Sequence, residues 1–107
     1  PSYLNFMLDS GGTANNPSGR CSFELPCNGH DLCYSDCSKT QAKCDSALKT
    51  AMYASCIACY KASTDPDRMT HYLRCTKWAD DYYWAVSNYG RDPFVNRQTL
   101  NCECACP

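Results

Sequence analysis

Apolar side chains recur along this chain in separated stretches, and their spacing predicts helices. Near the start, Tyr3, Leu4, Phe6, Met7 and Leu8 cluster as a short helix would require. A turn-rich loop then runs to residue 29 through Gly11-Gly12, Asn15-Asn16-Pro17, Ser18-Gly19 and Pro26. From His30 the pattern changes. His30, Cys33, Tyr34 and Cys37 fall on one helical face, which predicts a first main helix to about Thr40. A second helix is predicted from Asp45 to near Ala62, where Leu48, Met52, Cys56 and Cys59 share a stripe. The short connection between these helices favours an antiparallel hairpin. Ser63-Thr64-Asp65-Pro66-Asp67 is a polar breaker, the best candidate in the chain for an exposed, cleavable loop. A third helix is predicted from about Tyr72 to Tyr89, carrying Leu73, Trp78, Tyr82, Ala85, Val86 and Tyr89, with Gly90 as its stop. After it comes an irregular tail in which Cys102, Cys104 and Cys106 alternate, so the tail is expected to be stapled back onto the body. No repeat or strand-rich region interrupts this pattern, which therefore predicts one all-α domain over residues 1–107.

Composition changes the picture in one respect. A chain of 107 residues buries only ~60–65% of the surface its unfolded form exposes, so its apolar core alone is marginal. Eleven cysteines supply the missing constraint, since a disulfide typically stabilises by ~2–4 kcal/mol. That density implies an oxidising compartment and a secreted, extracellular protein. Zinc is the competing use of cysteine, but Cys56 and Cys59 form an isolated Cys-x2-Cys and His30 and His71 lack finger spacing. The odd count leaves at least one thiol free, capped or joined to a second chain.

Charge and hydropathy exclude other classes. Ten basic residues against eleven acidic ones give a net charge of −1, with no Lys/Arg cluster of the kind nucleic-acid binding needs. No stretch approaches a membrane span, and no cationic-then-apolar leader opens the sequence, which reads as a processed mature form.

The residues with chemical potential gather around His30. His30 and Asp31 are neighbours on a helix and point about 100° apart, so two tasks can sit side by side. A histidine suits a general base at neutral pH, and an aspartate suits a hard calcium ligand completed by backbone carbonyls. A base of this kind needs a partner that fixes its tautomer, and Asp45 at the start of the second helix is the candidate. A bridge between Cys33 and Cys44 would clamp the two helices beside that pair. Tyr34, four residues after His30, is placed to hydrogen-bond the same carboxylate.

The run His30-Asp31-Leu32-Cys33-Tyr34, followed by Lys43-Cys44-Asp45, resembles the His-Asp-x-Cys-Tyr and later Cys-Asp motifs of secreted phospholipases A2. The likeness covers roughly residues 20–90 and mixes features of two branches: the helices after the histidine are similar to small bacterial and fungal enzymes, the Cys-Tyr pair to animal and venom ones. It implies an all-α, disulfide-rich phospholipase A2-like fold with two antiparallel catalytic helices, a third C-terminal helix and a short calcium loop. By the same likeness His30 is the base, Asp45 its orienting partner and Tyr34 a support of the network. Ca2+ is held by Asp31 with the carbonyls of Arg20 and Ser22. Bridges Cys33–Cys44, Cys21–Cys27 and Cys56–Cys75 are implied, leaving Cys37, Cys59, Cys102, Cys104 and Cys106 as two pairs and one odd thiol. The implied activity is hydrolysis of the sn-2 ester of glycerophospholipids at a lipid surface, by water and without an acyl-enzyme.

The sequence departs from this family at the calcium loop. Only Ser22-Phe23-Glu24-Leu25-Pro26 lie between Cys21 and Cys27, and Gly19 stands where the bacterial branch has a carboxylate, although Glu24 is available as a substitute. Tyr3, Phe6, Met7, Leu8, Phe23 and Leu25 are the candidate membrane-contacting groups, and Tyr83 and Trp84 candidates for an acyl channel. The rival readings are a non-catalytic or dual-function toxin or receptor ligand on the same scaffold, and a purely structural disulfide-rich module. Retention of His30, Asp31 and Asp45 together weighs against a catalytically dead form, although hydrolysis and receptor binding can coexist on one scaffold, and a purely structural module leaves the acid-base pair unexplained.

Overall fold

The structure, a computed structural model, describes residues 22–60, 64 and 66–102. Every regular element among them is an α-helix: α1 (Glu24–Tyr34), α2 (Gln41–Tyr60), α3 (Arg68–Tyr89) and α4 (Arg91–Cys102). The N-terminal cluster Tyr3–Leu8, Arg20, Cys21, the loop positions Ser63 and Asp65, and Cys104 and Cys106 lie outside the described residues.

Each helix departs from its predicted bounds for a local reason. The first begins at Glu24, not His30, and replaces most of the short loop expected ahead of His30. Ser22 Oγ accepts the Glu24 N–H at 3.1 Å, and the Glu24 carboxylate sits in the first turn, where the helix dipole favours an anion. Pro26 is tolerated because first-turn N–H groups have no helical partner to lose. The helix stops at Tyr34 instead of Thr40 because Asp36 turns the chain: its Oδ1 accepts both the Ser38 N–H, at 2.9 Å, and the Ser38 hydroxyl, at 2.7 Å. At the start of α2, Thr40 Oγ1 accepts the Lys43 N–H at 3.2 Å, which moves the first residue forward from Asp45 to Gln41. The third helix likewise starts at Arg68, ahead of Tyr72.

α2 and α3 form the central hairpin. Cys56 is bonded to Cys75, Tyr53 reaches Asp80, Lys49 lies over the Tyr83 ring, and Gln41 reaches Val86, so pairings run in opposite directions along the two helices. Leu48, Met52, Cys56 and Tyr60 meet Cys75, Trp78, Ala79, Tyr82, Ala85 and Val86 in the core, with Phe23 set edge-on to Tyr82. Phe23 is therefore a core residue and not a membrane contact, because α1 starts beside it and folds it inward. Three residues of the predicted stripes face outward. Cys59 is exposed, Leu73 is two positions from Cys75 and points to the other side of α3, and Tyr89 packs on Trp84 at the surface.

α1 lies antiparallel to α2, since Cys33 near its end bonds Cys44 near the start of α2 while Leu25 and Pro26 in its first turn line one pocket with Ala51 and Ala54 farther along α2. Beyond Gly90 the expected irregular tail is instead helix α4, with Pro93 again in a first turn. α4 buries no residue fully and is held by specific contacts. Phe94 packs edge-on to Tyr34, the Gln98 amide donates to the carbonyls of Tyr34 and Asp36, and Cys37 is bonded to Cys102. The tail is stapled as expected, through a pair that spacing alone left open.

The disulfides Cys33–Cys44 and Cys56–Cys75 form as the resemblance implies. Cys59 is also disulfide-bonded, so the Cys56-x2-Cys59 motif is no zinc half-site. Cys27 is free and does not bridge to Cys21. Its place in α1 turns the thiol onto the core, where burial, reinforced by the charge of Asp31, pushes its pKa upward.

Candidate functional site

α1 and α2 bring His30, Tyr34 and Asp45 together. Four residues is one helical turn, so His30 and Tyr34 present their rings side by side, centroids 4.1 Å apart. Both reach across to Asp45 on α2, and the Cys33–Cys44 bridge pins the two helices beside this contact. His30 Nε2 lies 2.7 Å from Asp45 Oδ1, and the Tyr34 hydroxyl donates to the same oxygen at 2.6 Å. His30 and Asp45 are the two buried polar or charged residues of the described core, each 3% exposed. The structure thus assembles the three residues that the motif singled out.

Their chemistry follows from donor and acceptor counting. An ionised carboxylate only accepts, so a neutral His30 ring places its hydrogen on Nε2 and keeps a lone pair on Nδ1. Nδ1 is buried and has no hydrogen-bond partner among the described residues. A buried imidazole nitrogen without a partner is costly in a purely structural histidine, whereas a base must keep that position open.

His30 lines a pocket of about 460 Å³ between α1 and α2. Its walls are mainly apolar, with Leu25, Pro26 and Gly29 on one side and Leu48, Ala51 and Ala54 on the other. Gly29 is a poor helix former, yet a methyl group there would meet no atom within 4 Å, so its absence keeps the pocket wall low. Tyr83 and Trp84 do not line this pocket: Tyr83 lies under Lys49, and Trp84 is 52% exposed against Tyr89.

Several supporting residues escaped the sequence reading. The Gln41 amide nitrogen lies 3.3 Å from Asp45 Oδ2 and 3.1 Å from the Val86 carbonyl. Its position four residues before Asp45 was the available signal. Gly90 has φ −82°, so no unusual backbone angle requires it. Proximity does, because a Cβ there would run into the Val86 carbonyl and the Tyr34 hydroxyl.

The donor set for a hard cation consists of oxygen atoms, as calcium demands. Asp31 is half-buried, and its carboxylate makes no hydrogen bond to a described residue. Ser22 stands immediately ahead of α1, with its hydroxyl engaged by the Glu24 N–H and its carbonyl as the possible ligand, while Arg20 lies outside the described residues. No three His, Cys, Asp or Glu side chains gather around one point among the described residues.

Compared with known proteins, the chain matches no family model, no curated protein and no solved structure.

Proposed function

We propose that this protein is a secreted, calcium-dependent phospholipase A2-like hydrolase that cleaves the sn-2 ester of glycerophospholipids to a fatty acid and a lysophospholipid. The observation that carries the reading is the buried His30–Asp45 pair, with Nδ1 unpartnered among the described residues, on the wall of an apolar pocket. Such a pocket suits an acyl chain, and the base beside it suits attack by water on the adjoining ester. His30 Nδ1 takes the proton of the attacking water, and the Asp45 carboxylate stabilises the imidazolium that results. Tyr34 keeps that carboxylate turned toward His30 through its hydrogen bond to Oδ1. The proton then leaves from Nδ1 to the departing alkoxide, which restores the neutral ring. Asp31, with the carbonyls of Arg20 and Ser22, would hold a Ca2+ ion that supplies Lewis-acid polarisation of the ester carbonyl and a counter-charge for the phosphate.

A lipid surface is the proposed partner. Leu25 is 81% exposed and Leu32 74%; they are two turns apart on α1, and Leu25 stands at the pocket. Leu25 gives the pocket an apolar rim, and Leu32 adds a second exposed apolar group on the same helix, able with it to enter the outer part of a lipid layer. The near-neutral charge predicts no strong preference for anionic vesicles.

Hydrolysis of sn-2-labelled phosphatidylcholine vesicles tests this reading. The wild type releases labelled fatty acid with calcium and not with chelator, and His30→Gln lowers the rate by about 10²–10⁴-fold, the usual contribution of a general base. Release unaffected by chelator, or equal rates for the two proteins, would overturn the mechanism. No release by a folded wild type would assign the scaffold to binding instead.

A further inference from the structure

Asp45 has two carboxylate oxygens, and the contacts to His30 and Tyr34 both fall on Oδ1. A carboxylate held at one oxygen can still swing about its side-chain bond, and the imidazole it orients would swing with it. Oδ2 receives a single described contact, the side-chain amide nitrogen of Gln41 at 3.3 Å. The same nitrogen lies 3.1 Å from the Val86 carbonyl on α3. Both neighbours are acceptors, so only the NH2 end of the amide can face them, with one hydrogen for each. The assignment of nitrogen and oxygen in this side chain therefore follows from chemistry.

We infer that Gln41 is a positioning residue for the His30–Asp45 pair: its amide locks the second oxygen of Asp45 and anchors that lock to α3. The inference rests on the reading of His30 as the base. Gln41 reaches this place because Thr40 caps α2 and makes Gln41 its first residue, one turn before Asp45. The anchor at Val86 lies in the last turn of α3, whose C-cap Gly90 returns its own N–H to that same carbonyl at 2.8 Å. The lock thereby joins the start of α2, the end of α3 and the carboxylate in one hydrogen-bonded unit. Leucine at position 41 removes the donors, and glutamate keeps the shape while offering only acceptors to a carboxylate and a carbonyl. Lysine keeps donors at similar reach.

The test reads the His30 ring directly, by its 15N NMR shifts at one slightly alkaline pH, in wild type, Gln41→Leu, Gln41→Glu and Gln41→Lys. Circular dichroism checks that each variant is folded. The wild type holds the Nε2–H tautomer as the dominant form. Gln41→Leu and Gln41→Glu shift the signals toward a tautomer mixture, and Gln41→Lys restores the wild-type pattern. In the vesicle assay the first two lower kcat about tenfold or more with KM little changed, as expected when orientation and not binding is lost. An unchanged tautomer in folded Gln41→Leu and Gln41→Glu overturns the inference. Because the NMR reading needs no substrate, it decides the role of Gln41 even where the hydrolysis assay is silent.

Discussion

At the scale of single residues, the site depends on which groups are withheld as much as on which are present. Gly90 is the sharpest case. An Ala for Gly exchange at a helix end with ordinary φ usually stabilises, by roughly 0.4–1 kcal/mol. Here the added methyl meets the Val86 carbonyl and the Tyr34 hydroxyl, and the sign reverses. Gly90→Ala is expected to destabilise by about 1–3 kcal/mol, the range for overpacking, in urea unfolding. It should also weaken the Tyr34 contact with Asp45. A neutral or stabilising result would mean that the contact relaxes freely. The core of the site was legible in the sequence because its geometry is local: His30 and Tyr34 are one turn apart, and Cys33 and Cys44 tie their helix to Asp45. Gly90 and Gln98 were not, because their roles come from approach across long sequence separations. A glycine after a helical stripe reads simply as a stop.

At the scale of elements, α2 and α3 are joined outside the core by a polar cluster as well as by packing. The Tyr53 hydroxyl donates to Asp80 Oδ1 at 2.5 Å, and Lys49 lies 3.8 Å from the same oxygen and over the rings of Tyr53 and Tyr83. The bond to Asp80, helped by desolvation, pushes the Tyr53 pKa up to about 12. Burial moves Tyr82 upward as well. A folded pKa above the unfolded value means that this contribution to stability is complete below about pH 10. It is lost as the pH rises from there through about 12. Ultraviolet titration should thus find Tyr53 among the late-ionising tyrosines, and Tyr53→Phe should remove one late step and soften the alkaline loss of stability. A titration curve unaltered by the substitution would contradict this. The central hairpin was legible because its apolar spacing is regular. The start of α1 was hidden by Pro26 and Gly29, which signal a loop until the Ser22 and Glu24 contact is known. α4 was hidden because it buries no residue and carries no apolar stripe to read.

At the scale of the whole molecule, α4 works as a buttress. It adds nothing to the apolar core, yet Phe94 and Gln98 hold Tyr34 from behind, and Cys37–Cys102 fixes the helix across a separation of 65 residues. Removing a disulfide from a small domain costs about 2–5 kcal/mol. Cys37→Ser with Cys102→Ser should lower stability by that order in thermal unfolding, and lower the proposed lipid hydrolysis beyond what the lost stability accounts for. Activity unchanged in the folded double variant would show that the buttress serves stability alone. The tail was expected to be stapled, and it is; its helical form and its partner Cys37 needed the three-dimensional arrangement.

The same bridge bears on the order in which the protein is made. His30 and Asp45 are separated by 15 positions and can meet early, while Cys37 must wait for Cys102, 65 positions later. Closing the longer loop costs more entropy, and its oxidation cannot precede synthesis of α4. Maturation would then be a built-in delay: the buried pair assembles first, and its backing clicks into place only once α4 has been made.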